Sequence, residues 1–148
     1  MSADTYLPLE VDQDMRTAIG GAFESRNFMT VGYLGDDGYA HISPRGTVQV
    51  YGDQQLALWA RKRDDGLARA VASRPELTLL YVDMRVPQLY TFYGKAEVSS
   101  DPRVADTVYA NSPERERAQD PERTGVPVIV ELERIEALGA SRFVMKRP

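Results

Sequence analysis

Apolar and polar positions change period several times along the chain, and each change marks an element. Between Asp12 and Ser25, Met15, Ile19, Ala22 and Phe23 recur at intervals of four, three and one, which sets them on one helical face. Asp12 and Asp14 suit the start of that helix, and the Gly20-Gly21 pair weakens its middle by roughly 1 kcal/mol per glycine relative to alanine. From Phe28 the pattern turns to short β-prone runs. Phe28 to Leu34 reads as a strand, Gly35-Asp36-Asp37-Gly38 as a tight hairpin turn, and Tyr39 to Tyr51 as the return strand. Pro44 cannot donate to a ladder, so it belongs at an edge or a bulge. Gly52 to Gln55 makes a second turn, and Leu56 to Ala60 closes a three-stranded meander.

Asp64-Asp65 opens a short helix with Leu67, Ala70 and Val71 on its apolar side and Pro75 as its stop. Leu77 to Val82 is a nearly continuous apolar run and is expected as a buried strand. After a loop over Asp83 to Pro87 comes a long strand, Gln88 to Ser99, with Tyr90, Phe92 and Gly94 on one face and Leu89, Thr91, Tyr93 and Lys95 on the other. Asp101-Pro102 starts a helix packed through Val104, Thr107 and Val108. Ser112 to Gly125 is a polar connection with one helical turn over Pro113 to Arg117. Pro127 to Leu138 is the last strand, and a change of spacing after Leu132 predicts a bulge or boundary there. Gly139 to Pro148 reads as a loosely attached tail, with Phe143 and Met145 available to pack. Six strands joined mostly by hairpins favour an antiparallel barrel, closed or partly closed, with helices over its openings.

The length of 148 residues fits one domain over 1–148, large enough to need no metal or disulfide staple. There are no cysteines and one histidine, His41, which excludes thiolate nucleophiles, cysteine metal sites and any mechanism needing two imidazoles. Eighteen basic residues against 22 acidic ones give a net charge of −4 and no overall footprint for nucleic acid. No apolar run approaches the length of a membrane span. The first fifteen residues lack a basic region followed by an apolar stretch, so a cytoplasmic protein without a leader is expected.

The chemistry that remains is sparse. His41 has no nucleophile elbow beside it and is set aside as a hydrolase base. The aspartates fall in turns and helix starts, with no metal-ligand spacing, and read as turn formers and caps. No catalytic residue can be named. The positive residues say more: Arg45 lies in the return strand, and Arg61-Lys62-Arg63 follows the third strand just before a helix N-terminus. Guanidinium forks beside a helix start suit an anionic phosphate. With Trp59, Tyr90, Phe92 and Tyr93 as planar apolar surface, the set suits a nucleotide-like cofactor such as a flavin. A charged strand end is ordinarily a solvated face and strand aromatics ordinarily core, so the spacing alone leaves both readings open.

Several strings resemble a known family. Asp37 to Pro44 (DGYAHISP) is similar to the second-strand opening of the pyridoxamine 5'-phosphate oxidase-like superfamily, with Ala40 in place of a proline. Arg74 to Leu80 resembles its helix-to-strand passage, Tyr93 to Val98 its "x-G-x-A-e-v" strand, and Pro127 to Ile135 its closing strand. The resemblance covers roughly residues 15 to 140. It implies a mainly β fold with α, a six-stranded antiparallel split barrel with flanking helices. It also implies a homodimer holding flavin in clefts between subunits and moving electrons between small molecules, as an FMN-dependent oxidoreductase.

On this resemblance Arg45 matches a phosphate-binding arginine, with Gly46, Thr47 and Val48 along the ring. Trp59, Ala60 and Arg61 take the place that ends the third strand, Lys62 and Arg63 follow, and Gln88 lies next to a flavin-contacting glutamine. The chain departs from the family where an S-R-K helix start falls on about Asp65-Gly66-Leu67, and where a strand lysine falls near Val50. Arg61, Lys62 or Arg63 could supply the missing charge, while Asp64 and Asp65 repel the same phosphate. The alternatives left open are a non-catalytic binding or stress-associated split barrel with weak or no flavin affinity, and a relative using a deazaflavin coenzyme or haem held by His41.

Overall fold

A computed structural model describes residues 5–148; Met1 to Asp4, on which the expectations of no leader and of a domain over 1–148 partly fall, lie outside the described residues. The elements are β1 (Leu7–Pro8), α1 (Gln13–Gly21), β2 (Met29–Leu34), β3 (Ala40–Arg45), β4 (Gln49–Gly52), β5 (Gln55–Ala60), α2 (Gly66–Ser73), β6 (Glu76–Asp83), β7 (Gln88–Val98), α3 (Pro102–Ala110), α4 (Glu114–Arg117), β8 (Val126–Gly139) and β9 (Phe143–Lys146). The strands hydrogen-bond in the order β1-β9-β8-β7-β6-β2-β3, with β5 pairing β8 and β4 pairing β5. All pairs are antiparallel except β1 with β9. The path does not close, so this is a split rather than a closed barrel.

β8 makes that architecture possible. Along one edge it pairs with β7 from Val128 to Gly139. Along the other it serves β5 with Val126–Glu131 and β9 with Arg134–Ala137. The change of partner coincides with a bulge. Tyr93 faces Arg134 while Gly94 faces Leu132, which leaves Glu133 unpaired where the sequence spacing changes. Gly94 is needed there, because a Cβ would press into the Glu131 carbonyl oxygen.

Three aspartates cap helices as their positions suggest: Asp12 accepts from Met15 N, Asp65 from Leu67 N, and Asp101 from Arg103 N. Pro44 sits on the edge strand β3, opposite Thr30 of β2. In the 35–38 turn Gly38 takes φ +82°, a conformation that costs L-residues energy.

Four expectations need correction. The first helix ends at Gly21 rather than Ser25, because two successive poor helix formers stop it instead of merely weakening it. The return strand 39–51 breaks after Arg45 into β3 and β4, so the three strands are not one meander. The break is held by Thr47, whose buried hydroxyl accepts from Trp59 N (3.0 Å) and donates to Trp59 O (3.1 Å). These bonds carry the β4–β5 ladder on by a side chain. The run Leu77–Val82 is buried on one face only: Leu77, Leu79 and Tyr81 point inward, while Thr78 is exposed and Leu80 half-buried. The tail is not loose, since β9 pairs with β8 and Met145 is buried.

The main core fills the barrel with Met15, Ile19, Leu56, Leu58, Leu67, Leu79, Phe92, Leu132 and Ile135 among others. Leu9 and Val11, ahead of α1, join it, and Val11 N bonds Asp53 O at 2.7 Å. A second cluster, Ala57, Trp59 and Val108, lies on the outer face of β5 under α3. β5 is therefore buried on both faces.

Candidate functional site

β3, β5 and α2 end or begin at one rim of the barrel. Arg45 is the last residue of β3, Arg61 to Arg63 lead out of β5, and Asp65 caps α2. The Arg45 guanidinium meets the Asp65 carboxylate with both nitrogens, Nη1 to Oδ2 at 3.1 Å and Nη2 to Oδ1 at 3.3 Å. Oδ1 also accepts from Leu67 N at 2.8 Å. Burial works to raise the Asp65 pKa, but Arg45 and the amides of the α2 start hold it below the ordinary carboxylate value.

Arg45, Gly46, Thr47, Trp59, Arg61, Asp65 and Glu116 line a polar cavity of about 120 Å³ together with Pro44. Glu116 reaches in from α4, and a Cβ on Gly46 would stand 2.6 Å from its Oε1. On the other side of Arg45 and Gly46 a hollow of about 260 Å³ opens between α1 and β4. Phe23, Phe28, Val48, Gln49 and Val50 are among its lining. The Gln49 amide donates to Thr47 O and Val108 O, while its buried side-chain oxygen has no partner among the described residues.

The structure thus gathers Arg45, Gly46, Thr47, Trp59 and Arg61 around one cavity and sets Val48 on the adjoining hollow. Ala60 is fully buried at the end of β5. Arg61, Lys62 and Arg63 are exposed, and among the described residues none of their side chains has an acidic partner. Gln88 is elsewhere. It pairs with Gly139 at the start of β7, and its amide bonds Leu138 O, Ser141 O and Ser141 N.

The four aromatics grouped as one slot are divided. Trp59 packs edge-on against Tyr109 (5.2 Å) under α3. Tyr90 and Phe92 belong to the main core, and Tyr93 stands on the outer face of β7 beside Glu136. His41 lies at a separate hollow. Its Nε2 is 2.9 and 3.0 Å from the Asp37 carboxylate, and its ring stacks on Tyr33.

Glu116 and Asp120 were not legible as partners of this rim. Asp120 is buried and accepts four bonds: from Trp59 Nε1 and Gly125 N at 2.9 Å, and from Thr124 N and Oγ1 at 2.8 Å. Their only sequence signal was acids in a polar connection, which does not say what they face.

The chemistry of the donor set allows a test of fit to a flavin. Arg61, Lys62 and Arg63 fit an anionic end group, being cationic, exposed and, among the described residues, without an ion-pair partner. Arg45 does not offer a free fork, because Asp65 holds it. A haem ligand at His41 Nε2 would have to displace Asp37. Among the described residues no group of three or more His, Cys, Asp or Glu could hold a metal ion, and no helix is long and apolar enough to cross a membrane.

Fold and rim together define a split β-barrel with a cationic edge. Solved structures share that fold. HupZ of Group A Streptococcus superposes with a TM-score of 0.70 at 16% identity, covering 89% of this chain and 97% of its own. A Clostridium acetobutylicum protein related to general stress protein 26, of the pyridoxinephosphate oxidase family, gives 0.68 at 13% identity, covering 91% and 96%. A Lactobacillus delbrueckii protein described as a putative pyridoxamine 5'-phosphate oxidase gives 0.62 at 13%, covering 90% and 96%. No family model and no curated protein sequence matches the chain. The neighbours agree with the resemblance read from the sequence, and at these identities the fold is what is shared.

Proposed function

We propose that this chain is a flavin-dependent oxidoreductase of the split-barrel type, taking FMN and acting on a small molecule as a cytoplasmic homodimer. The observation that carries the reading is the run of three cations, Arg61-Lys62-Arg63, unpaired among the described residues, at the rim of a polar cavity in this fold. A bound flavin would supply the electron chemistry that a chain without cysteine and with one histidine does not. The chain's own residues would do the rest. Arg61, Lys62 and Arg63 meet the phosphate, Gly46, Thr47 and Val48 border the ring, and Trp59 and Ala60 form a rigid wall. Thr47 keeps that loop in place through its two bonds to Trp59. A flavin contact by Gln88 requires its amide to leave Ser141 and Leu138.

The outer face of β2, β3 and β6 exposes Leu34 and Ile42 around a hollow of about 420 Å³, which supports pairing with a second copy. The test is the visible spectrum of the purified protein followed by FMN titration. The expected results are a flavin absorbance band, or quenching of FMN fluorescence at tens of micromolar protein. Neither band nor quenching would overturn the reading. A deazaflavin or haem would instead declare itself by its own absorbance.

A second reading, a split barrel that binds a partner or ligand without flavin, is favoured by one observation. The carboxylates of Asp65 and Glu116 stand in the same cavity as Arg45.

A further inference from the structure

Arg45 and the first turn of α2 form the place on the rim where geometry, rather than loose surface charge, would grip an anion. That place already holds one. Asp65 sets both carboxylate oxygens on the Arg45 fork and turns Oδ1 to Leu67 N, the arrangement a bound phosphate oxygen would adopt. Both side chains are about four-fifths shielded, with side-chain exposures of 19% for Arg45 and 22% for Asp65. Behind them Glu116 closes the cavity against Gly46.

We propose that Asp65 is the specificity-determining residue of this site. Its carboxylate fills the anion cradle made by Arg45 and the α2 amide, so the site holds a flavin phosphate only loosely, through the exposed cations of the rim, and accepts riboflavin nearly as well as FMN. The proposal rests on the flavin reading above and deepens it.

A phosphate entering the cradle must break the paired bonds to Arg45, strip the cap from α2 and leave an uncompensated carboxylate beside itself. The cavity, at about 120 Å³ with a second carboxylate in its wall, offers the displaced side chain only Arg61, a cation the phosphate would itself need. The exposed cations of the rim cannot make up the difference. Arg61, Lys62 and Arg63 are exposed, and contacts of that kind are screened, each worth about twofold in affinity, so less than tenfold together. A cradle with a free fork and a free helix amide would instead favour the phosphate by about a hundredfold or more.

The experiment compares FMN and riboflavin affinities by fluorescence quenching for the wild type and Asp65→Ser. Serine still caps a helix start and removes the charge. The wild type is expected to bind FMN less than about tenfold more tightly than riboflavin, and Asp65→Ser to raise that ratio by at least about tenfold by tightening FMN alone. A wild-type preference of tenfold or more, or an unchanged ratio in the variant, overturns the proposal. Asp65→Asn, which keeps shape and cap, serves if the serine variant does not fold.

Inorganic phosphate, titrated against chloride at matched ionic strength, separates this idea from the flavin reading. Phosphate should raise the melting temperature of the Asp65 variant and not of the wild type. If neither flavin binds any form, the flavin reading falls. The phosphate shift then still decides whether Asp65 fills the cradle, since equal responses in both proteins overturn it.

Discussion

Replacing Asp120 by alanine should destabilise the fold more than any other single change to a charged residue. The side chain is 5% exposed and takes bonds from Trp59 Nε1, Gly125 N, Thr124 N and Thr124 Oγ1. Thr124 is exposed, so water replaces its partner at little cost. Trp59 Nε1 and Gly125 N are enclosed and lose theirs outright. Each such bond to a charged acceptor is worth about 1.5–3 kcal/mol, so Asp120→Ala should cost roughly 3–6 kcal/mol. For a chain of this size that lowers the melting temperature by roughly 6–24 °C. Trp59 is the sole tryptophan, so its fluorescence during urea unfolding reads the same bond that is removed. A loss below about 1 kcal/mol would refute the claim that these donors depend on Asp120.

Acid gives an independent check. Burial works to raise the Asp120 pKa, but the bonds from Thr124, Trp59 and Gly125 more than offset it and hold the carboxyl below its ordinary value. A carboxyl with a depressed folded-state pKa stabilises the fold fully above its unfolded pKa, near 4, and loses that contribution as pH falls through the folded value. The stabilities of wild type and Asp120→Ala should therefore differ in full at neutral pH and converge in acid. A gap that stays constant down to strongly acidic pH would assign the effect to shape rather than charge.

Gly125→Ala should cost about 1–3 kcal/mol by urea unfolding, because the added Cβ meets the Ala60 carbonyl oxygen and stands 2.7 Å from Trp59 Nε1, neither of which can swing away. Thr47→Val keeps the volume but deprives Trp59 N and O of their partner at the β3–β4 break. Near-ultraviolet circular dichroism should show a loosened tryptophan, with about 1–3 kcal/mol lost. Gly38→Ala forces an L-residue to φ +82° in the hairpin and should cost about 1 kcal/mol by equilibrium unfolding, with no change in the Trp59 signal of the folded state. Ile42→Arg, on the exposed face of β3, should shift a dimer to 16.6 kDa monomers on sizing. A dimer that persists unaltered would move the proposed contact off this face.

Local signals carried most of the fold. Helix caps at Asp12, Asp65 and Asp101, the turn at Gly38, the edge position of Pro44 and the bulge after Leu132 each depend on a few neighbouring residues, which the sequence displays directly. Features that depend on distant partners were hidden. Nothing around Thr47 says that its hydroxyl will meet Trp59, twelve residues on, and so split the return strand in two. The tail offered Phe143 and Met145 for packing, but only the C-terminal half of β8, left without β5, makes a ninth strand of it. The same limit governed the site. Arg45 and Asp65 were each visible, one as a phosphate ligand and the other as a departure from the family's basic helix start. Read separately, they amount to a weakened phosphate site. Joined by two bonds at 3.1 and 3.3 Å, they form one ion pair at the α2 start, in which the Asp65 carboxylate stands where a phosphate would have to sit.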